Sequence, residues 1–366
     1  MKTRFIPQVE PSFDKAEIIA LSNYINNGGW GAEFTKTEEF ENMISEFTKS
    51  KYCSVTVNGT VSLILALLAL NLKKGDQILV PDITMIASPN SAILLGIKPV
   101  LVDIEENTLC MDLEKAGQLI TKKTKAVMYV SFNGRSGNMN EVVNFCKINK
   151  LLLIEDAAQA LGSNWNGKQL GTFGNVGSFS FSTPKIITTG QGGALLTDNV
   201  SIYKKIEKIK DFGRISGGID IHNSLGWNFK FNDFLAVIGI EQMKKLKKRI
   251  QRKKEIYQQY YLGLKNIKQV HFVPTDLTAT SPWFVDIYID NPDKLSSYLK
   301  NKGIGTRKIY PAIHTQKIYD GKHKNNIFPV AEKVAQRGLW LPSSIKLSIN
   351  NINYIIKSIR KYYNGQ

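Results

Sequence analysis

From about residue 36 onward the chain alternates between stretches whose apolar residues recur at helical spacing and short runs of Val, Leu and Ile. Residues 37–48 carry the helical pattern, and 52–57 read as a strand. Asn58, Gly59 and Thr60 make a tight turn into an apolar helix over 61–72. Buried-strand runs follow at 77–80, where Pro81 stops the element, and at 99–103, 126–131 and 151–155, with helical segments between them. Residues 177–181 and 193–197 continue the sheet on either side of a loop. Runs that are apolar on both faces and alternate with helices predict an α/β fold with a large, mostly parallel sheet covered by helices. A long helix over 233–256 leads into a second unit, with a strand at 281–289, a helix at 291–302 and a terminal helix at 352–362. The expected division is a large domain over 1–248, including the N-terminal segment, and a smaller C-terminal α+β domain over 249–366.

Composition narrows the class. Hydrophobic residues make up 43% and charged residues 22%, which fits an ordinary globular chain and not a disordered one. The most apolar stretch, 61–72, is well short of the roughly 20 residues a membrane span needs. No apolar segment follows the first charged residues as a signal peptide would require, so a soluble, cytoplasmic protein is expected. Cys53, Cys110 and Cys146 are odd in number, widely spaced and set among apolar residues, so they read as buried small hydrophobes and not as disulfide or zinc ligands. No metal site is expected.

Forty-eight Lys and Arg against 31 Asp and Glu give a net charge of +17. The lysines fall in runs at 73–74, 122–123, 204–210 and 244–254, and such runs read as solvated helix faces. In the densest, 243–256, apolar residues keep helical spacing, which predicts an amphipathic helix with a basic outer face. No nucleic-acid module accompanies the charge, so nucleic acid is not an expected partner. An anionic small substrate suits the same charge.

Candidate chemistry concentrates around Lys185. A strand with hydroxyls at Ser178, Ser180 and Ser182 precedes it, and Gly190, Gly192 and Gly193 follow. An enzyme using pyridoxal 5′-phosphate needs an amine to hold the aldehyde as a Schiff base, hydroxyls for the phosphate, and glycines where backbone passes close to a ligand. About thirty residues earlier, an apolar run ends in Glu155-Asp156-Ala157-Ala158-Gln159, placing a carboxylate at a strand end where it could keep a pyridinium nitrogen protonated. Gly59 and Thr60 open a helix, whose free N–H groups and positive dipole end make a phosphate seat. Each feature alone has an ordinary reading as a turn, a cap or a surface lysine.

Together, in this order and spacing, these segments resemble the DegT/DnrJ/EryC1/StrS family of sugar aminotransferases. The resemblance runs from Gly29-Trp30-Gly31 through Pro81-Asp82-Ile83-Thr84-Met85 and Gly226-Trp227-Asn228 to Tyr310-Pro311-Ala312-Ile313-His314. It implies the aspartate-aminotransferase-like fold (fold type I) of pyridoxal phosphate enzymes. It also implies that Lys185 binds the cofactor aldehyde, Asp156 meets the ring nitrogen and Gln159 lies near the ring hydroxyl. Gly59, Thr60 and Ser180 would hold the phosphate, with Asn228 reaching it from a partner subunit, which implies a homodimer with shared sites. Met85 stands where the family often has an aromatic residue stacked on the ring. Gln191 and Lys230 replace a common acid and a common arginine.

A small branch of the family carries histidine in place of the lysine and acts as a dehydratase, so Lys185 favours transamination. The implied reaction takes an amino group from L-glutamate to a nucleotide-linked 4-keto-6-deoxyhexose, within deoxyamino-sugar and glycan or O-antigen biosynthesis. The phrasing at 133–137 and 210–214 resembles perosamine and viosamine 4-aminotransferases, with the gluco series expected ahead of the manno series. Trp30 would help orient the hexose, and Arg307 and His314 would meet the nucleotide diphosphate. A 3-aminotransferase, a dehydratase and a non-enzymatic regulator are the alternatives.

Overall fold

Runs that are apolar at every position need cover on both faces, and that is where they lie. The computed structural model describes residues 5–319 and 327–365. Its strands in chain order are β1 (Tyr52–Thr56), β2 (Gln77–Pro81), β3 (Lys98–Val102), β4 (Thr124–Val130), β5 (Leu152–Asp156), β6 (Asn164–Trp165), β7 (Lys168–Gln169), β8 (Val176–Ser180), β9 (Gly193–Thr197), β10 (Val285–Tyr288), β11 (Arg307–Lys308) and β12 (Gly338–Leu341). Its helices are α1 (Lys15–Asn26), α2 (Thr35–Thr48), α3 (Gly59–Ala69), α4 (Ala87–Leu94), α5 (Leu113–Gln118), α6 (Met139–Ile148), α7 (Val200–Lys210), α8 (Asp233–Lys244), α9 (Leu246–Leu264), α10 (Pro292–Asn301), α11 (Pro329–Arg337) and α12 (Ile349–Asn364).

The main sheet has seven strands in the order β1-β9-β8-β5-β4-β2-β3. Strand β9 is antiparallel to both β1 and β8, and the remaining neighbours pair in parallel. Successive strand residues point to opposite faces. Ile78, Val80, Ala126 and Met128 therefore feed one core, while Leu79, Val127 and Tyr129 feed another on the far side. The parallel arrangement lines up the carboxyl ends of β1, β2, β4, β5 and β8 along one edge. That edge is where open α/β sheets bind ligands.

A three-stranded antiparallel sheet, β10-β12-β11, follows. One face, Val285, Ile287, Leu339 and Leu341, packs with Ile256 and Tyr260 of α9, Leu295 and Leu299 of α10, and Ile352, Ile355 and Ile359 of α12. The other face presents Tyr288 and Trp340 to the core of the large sheet. Trp340 has no exposed surface and lies among Phe132, Trp283, Phe284 and Tyr310. The two sheets are also joined by charge. Arg135, just beyond β4, gives a two-pronged pair to Asp286 of β10 at 2.8 and 2.6 Å, both side chains being buried. Removing one partner of a buried pair leaves the other charge without compensation, so Arg135→Ala should cost about 3–5 kcal/mol. Urea denaturation of the two proteins measures it, and a midpoint within error of the parent would contradict a stabilising pair.

The structure changes two sequence expectations. The helix expected over 233–256 is two helices broken at Lys245. Lys245 Nζ lies 2.7 Å from both Asp14 and Glu17, and Gln242 and Arg249 on either side both donate to the Ser12 carbonyl. The N-terminal arm thus pins the junction where α8, packed on α1 and α2, hands over to α9, packed on the small sheet. The lysine runs are also not wholly solvated. Lys210 is buried with Nζ 3.1 Å from Glu33 and Glu207 and 3.6 Å from Glu41. On α9, Arg249 and Lys253 turn inward from the basic face. Spacing cannot separate a lysine that snorkels from one that is enclosed. The three cysteines are free and buried, as expected. Among the described residues, no helix is long and apolar enough to cross a membrane.

Candidate active site

Five loops at the carboxyl edge of the main sheet converge on one cleft. After β1, Asn58 caps α3 by accepting from the Val61 N–H at 2.9 Å, which leaves the N–H groups of Gly59 and Thr60 without an intrahelical partner. Two glycines let that helix start sit hard against its neighbours. A Cβ on Gly59 would lie 2.9 Å from Ser180 Cβ, and one on Gly193 would lie 2.6 Å from the Asn58 carbonyl carbon. The result is a cradle of backbone N–H groups beside the Ser180 hydroxyl, with the positive helix end aimed into it.

Strand β5 ends on Asp156, flanked by Val130 of β4 and Ser178 of β8. Its carboxylate accepts from Ser88 Oγ at 2.6 Å and from the Ala158 N–H at 3.2 Å. Burial lifts its pKa above the usual carboxylate range, against the pull of those hydrogen bonds and of Lys185. Because alternate residues face opposite ways, the adjacent Glu155 points away. There it accepts N–H groups of Gly171, Phe173 and Gly174 and serves the backbone of that turn.

Lys185 follows β8 in a turn closed by its own N–H bond to the Ser182 carbonyl at 2.9 Å. Thr188 secures the loop, its hydroxyl donating to the Phe181 carbonyl and accepting from the Gly190 N–H. The Lys185 amine stands 4.1 Å over the Trp283 ring. Burial pulls its pKa down to about 8, with Asp156 acting in the opposite sense. Lys185, Gln159, Ser180 and Trp283 line one cleft. Gln159 Oε1 accepts the Asn133 N–H at 2.6 Å, so its amide NH2 is the group left to donate.

The other expected positions divide. Met85 is 47% exposed and lies one turn before Ser88, on the Asp156 side of the cleft. The Arg307 guanidinium covers Trp340 and Tyr310 at 5.6 and 5.7 Å, and Tyr310 feels the charge of both Arg307 and Asp156. Trp30, 74% exposed, opens onto a separate hollow with Glu33, Lys204, Lys208, Arg214 and Lys230. Asn228 is exposed, bridges to Asp211, and makes no hydrogen bond to the cleft residues of its own chain. His314 is committed elsewhere: Nδ1 lies 2.6 Å from Asp82, Nε2 lies 3.4 Å from Glu332, and the ring stacks on Phe328. As placed, Nδ1 is taken by Asp82. Sequence reasoning assigned nothing to Ser88, Asn133 and Trp283, since no local pattern marks a residue whose partner lies 26 to 151 positions away.

Amine, buried carboxylate and unpaired helix N–H groups, one from each of three loops, form a set that could hold a small aromatic phosphate. No cluster of metal-ligating side chains occurs among the described residues. The family model for DegT/DnrJ/EryC1/StrS aminotransferases matches residues 12–360. The chain belongs to that family. This aminotransferase is 34% identical over 366 residues to the GDP-perosamine synthase of Escherichia coli O157:H7, covering 99% of this chain and 100% of that one. It is 33% identical to the GDP-perosamine synthase of Vibrio cholerae, over 98% of this chain and 99% of that one. Its fold matches an aminotransferase from Streptoalloteichus hindustanus with a TM-score of 0.93 and 25% identity, covering 98% and 99% of the two chains. The family resemblance and the expected fold class are borne out.

Proposed function

We propose that this aminotransferase uses pyridoxal 5′-phosphate to carry an amino group from L-glutamate to C4 of a nucleotide-linked 4-keto-6-deoxyhexose. The observation that carries the reading is that Lys185 shares a cleft with Ser180 and feels the charge of Asp156, while the start of α3 packs against Ser180. The cofactor fits that set, because glycine at position 59 lets the free N–H groups at the start of α3 lie close beside the Ser180 hydroxyl. When bound, it supplies an electron sink that acidifies the α-carbon of an attached amino acid.

The protein's own residues supply the rest. Lys185 would hold the cofactor aldehyde, and its free Nζ would carry the proton from the donor α-carbon. The depressed pKa keeps a share of that amine unprotonated near neutral pH. Asp156 would keep a proton on the ring nitrogen, a cation that would help to satisfy its buried charge. Gly59, Thr60 and Ser180 would bind the phosphate, Gln159 would donate toward the ring hydroxyl, and Met85 would pack against the ring. Two half-reactions through one site give ping-pong kinetics.

Relatives named GDP-perosamine synthases support a GDP-linked sugar. Perosamine is a 4-amino-4,6-dideoxymannose, so those names weigh for C4 over C3 and for the manno series over the gluco series. Arg307, exposed at the rim, suits the diphosphate. Incubation with L-glutamate and GDP-, UDP- and dTDP-linked keto-sugars should yield a product with nitrogen on C4. Two-dimensional NMR that instead finds nitrogen on C3 and a hydroxyl on C4 overturns the assignment.

Asn228 reaches the phosphate from the second subunit of a homodimer, and Trp30 meets the sugar there. Exposed apolar side chains on the same stretches support the pairing: Phe34, Ile215, Ile221, Leu225 and Trp227. Mixing Lys185→Ala with Asn228→Asp protein should restore activity, because one site in each mixed dimer then has both native residues. Well-mixed dimers that stay inactive would rule out the shared site.

A further inference from the structure

Trp283 has no place in the chemistry above, yet it is the residue that meets the Lys185 amine. Its ring lies 4.1 Å from Nζ, and its own Nε1–H donates to the Pro184 carbonyl at 2.9 Å, in the peptide that leads into Lys185. One side chain therefore contacts both ends of the lysine: the ammonium through the negative face of the indole, and the backbone through the indole N–H.

The tryptophan is held from behind. Lys253 Nζ donates to the Trp283 carbonyl and to the Ser343 carbonyl, at 2.6 Å each, and both lysine and tryptophan are buried. Asn133, with φ +54, accepts the Trp283 N–H through its own carbonyl at 3.4 Å. Its side chain then pairs with Phe284 in both directions, donating to the carbonyl at 2.8 Å and accepting the N–H at 2.6 Å. The N–H of the same Asn133 binds Gln159 at the opposite wall. A buried ammonium is an expensive way to fix two carbonyls when no carboxylate accompanies it. From α9 it fixes the carbonyl of Trp283 itself, in the bend that leads into β10, and so holds that side chain in place.

We propose that Trp283, clamped by Lys253 and Asn133, is a positioning residue for the Lys185 amine. It excludes water from one side of Nζ and fixes the turn from which the lysine swings. This rests on Lys185 being the reacting amine, although the measurement below requires no substrate. With the ring present, burial outweighs the charge of Asp156, and the amine sits below an ordinary lysine. Opening the wall to water should let it return upward.

The test is the titration of Lys185 in the full-length protein freed of cofactor. It is read by trace acetylation across pH 6–11 and quantification of the Lys185 peptide by mass spectrometry, with circular dichroism as the check on folding. Trp283→Ala should raise the Lys185 pKa by about one unit, which is about a tenfold smaller neutral fraction at pH 7. Trp283→Phe keeps a ring face and loses the N–H, so it should move the titration less while lowering kcat several-fold at unchanged KM for glutamate. A folded Trp283→Ala protein whose Lys185 titrates as in the parent overturns the proposal. Should the alanine variant not fold, Trp283→Phe decides: parental titration together with parental kcat overturns it equally. Failure of the aminotransferase reading would show separately, as turnover surviving in Lys185→Ala.

Discussion

Lys185→Ala should abolish transamination while leaving the fold intact. In the proposed reaction the side chain has two jobs, anchoring the cofactor aldehyde and moving the proton. Proton transfer by a positioned side chain alone contributes about 10²–10⁴-fold, so with the anchor lost as well the fall should be roughly 10⁴-fold or more. The amine packs on an aromatic face and makes no direct salt bridge, so its removal costs the buried Asp156 only a more distant charge, and far-ultraviolet circular dichroism should be unchanged. A small amine such as methylamine, added at high concentration, should restore part of the rate by replacing the missing base. Near-parental turnover without added amine would refute the assignment of the reacting lysine.

Asp156→Asn is the second large effect. The amide keeps the size of the side chain and can still accept from Ser88, so the protein should fold. It cannot hold a proton on the ring nitrogen. One charge-assisted contact in a buried site is worth about 1.5–3 kcal/mol, or about 10–150-fold, and losing the electron sink adds to this. A loss of about 10³-fold or more is the expected result. A second readout follows from electrostatics. Asp156 holds the Lys185 pKa up against burial, so its neutralisation should let that amine fall further below about 8. The pH profile of Lys185 labelling should therefore move to lower pH in Asp156→Asn, whereas Trp283→Ala moves it to higher pH. Normal turnover with an unmoved profile would mean that the carboxylate faces something other than the ring.

The chemistry was more legible than the framework that aims it. Asp156 stood out because it ends an apolar strand run, and Lys185 because it follows a hydroxyl-bearing strand and precedes a glycine turn; a parallel sheet brings such strand ends onto one edge. Gly59 and Gly193 were legible as glycines, but why they must be glycines is visible only where α3, β8 and β9 approach within a Cβ's width. Lys253 shows the reverse. In the sequence it is one lysine in a basic run; in the fold it is a buried donor to two carbonyls, with its pKa pushed down to about 7 by burial. His314 was read as a contact for the nucleotide, and the fold ties it to Asp82, 232 positions away.

The sequence by itself determined the α/β class, the order of the strands along the chain, and the lysine–aspartate–helix-start set. These follow from local periodicity and from residues whose chemistry is uncommon at their positions. Tertiary structure alone decided which charged residues are enclosed, where the long helix breaks, and which side chains surround the amine. Those outcomes depend on contacts between segments far apart in the chain, such as Asn133 with Phe284 or Arg135 with Asp286, each 151 residues apart. A residue's own neighbours in sequence carry no record of such a partner. Burial is a property of the assembled core and not of the segment, so only the fold could separate Lys253 from the lysines beside it.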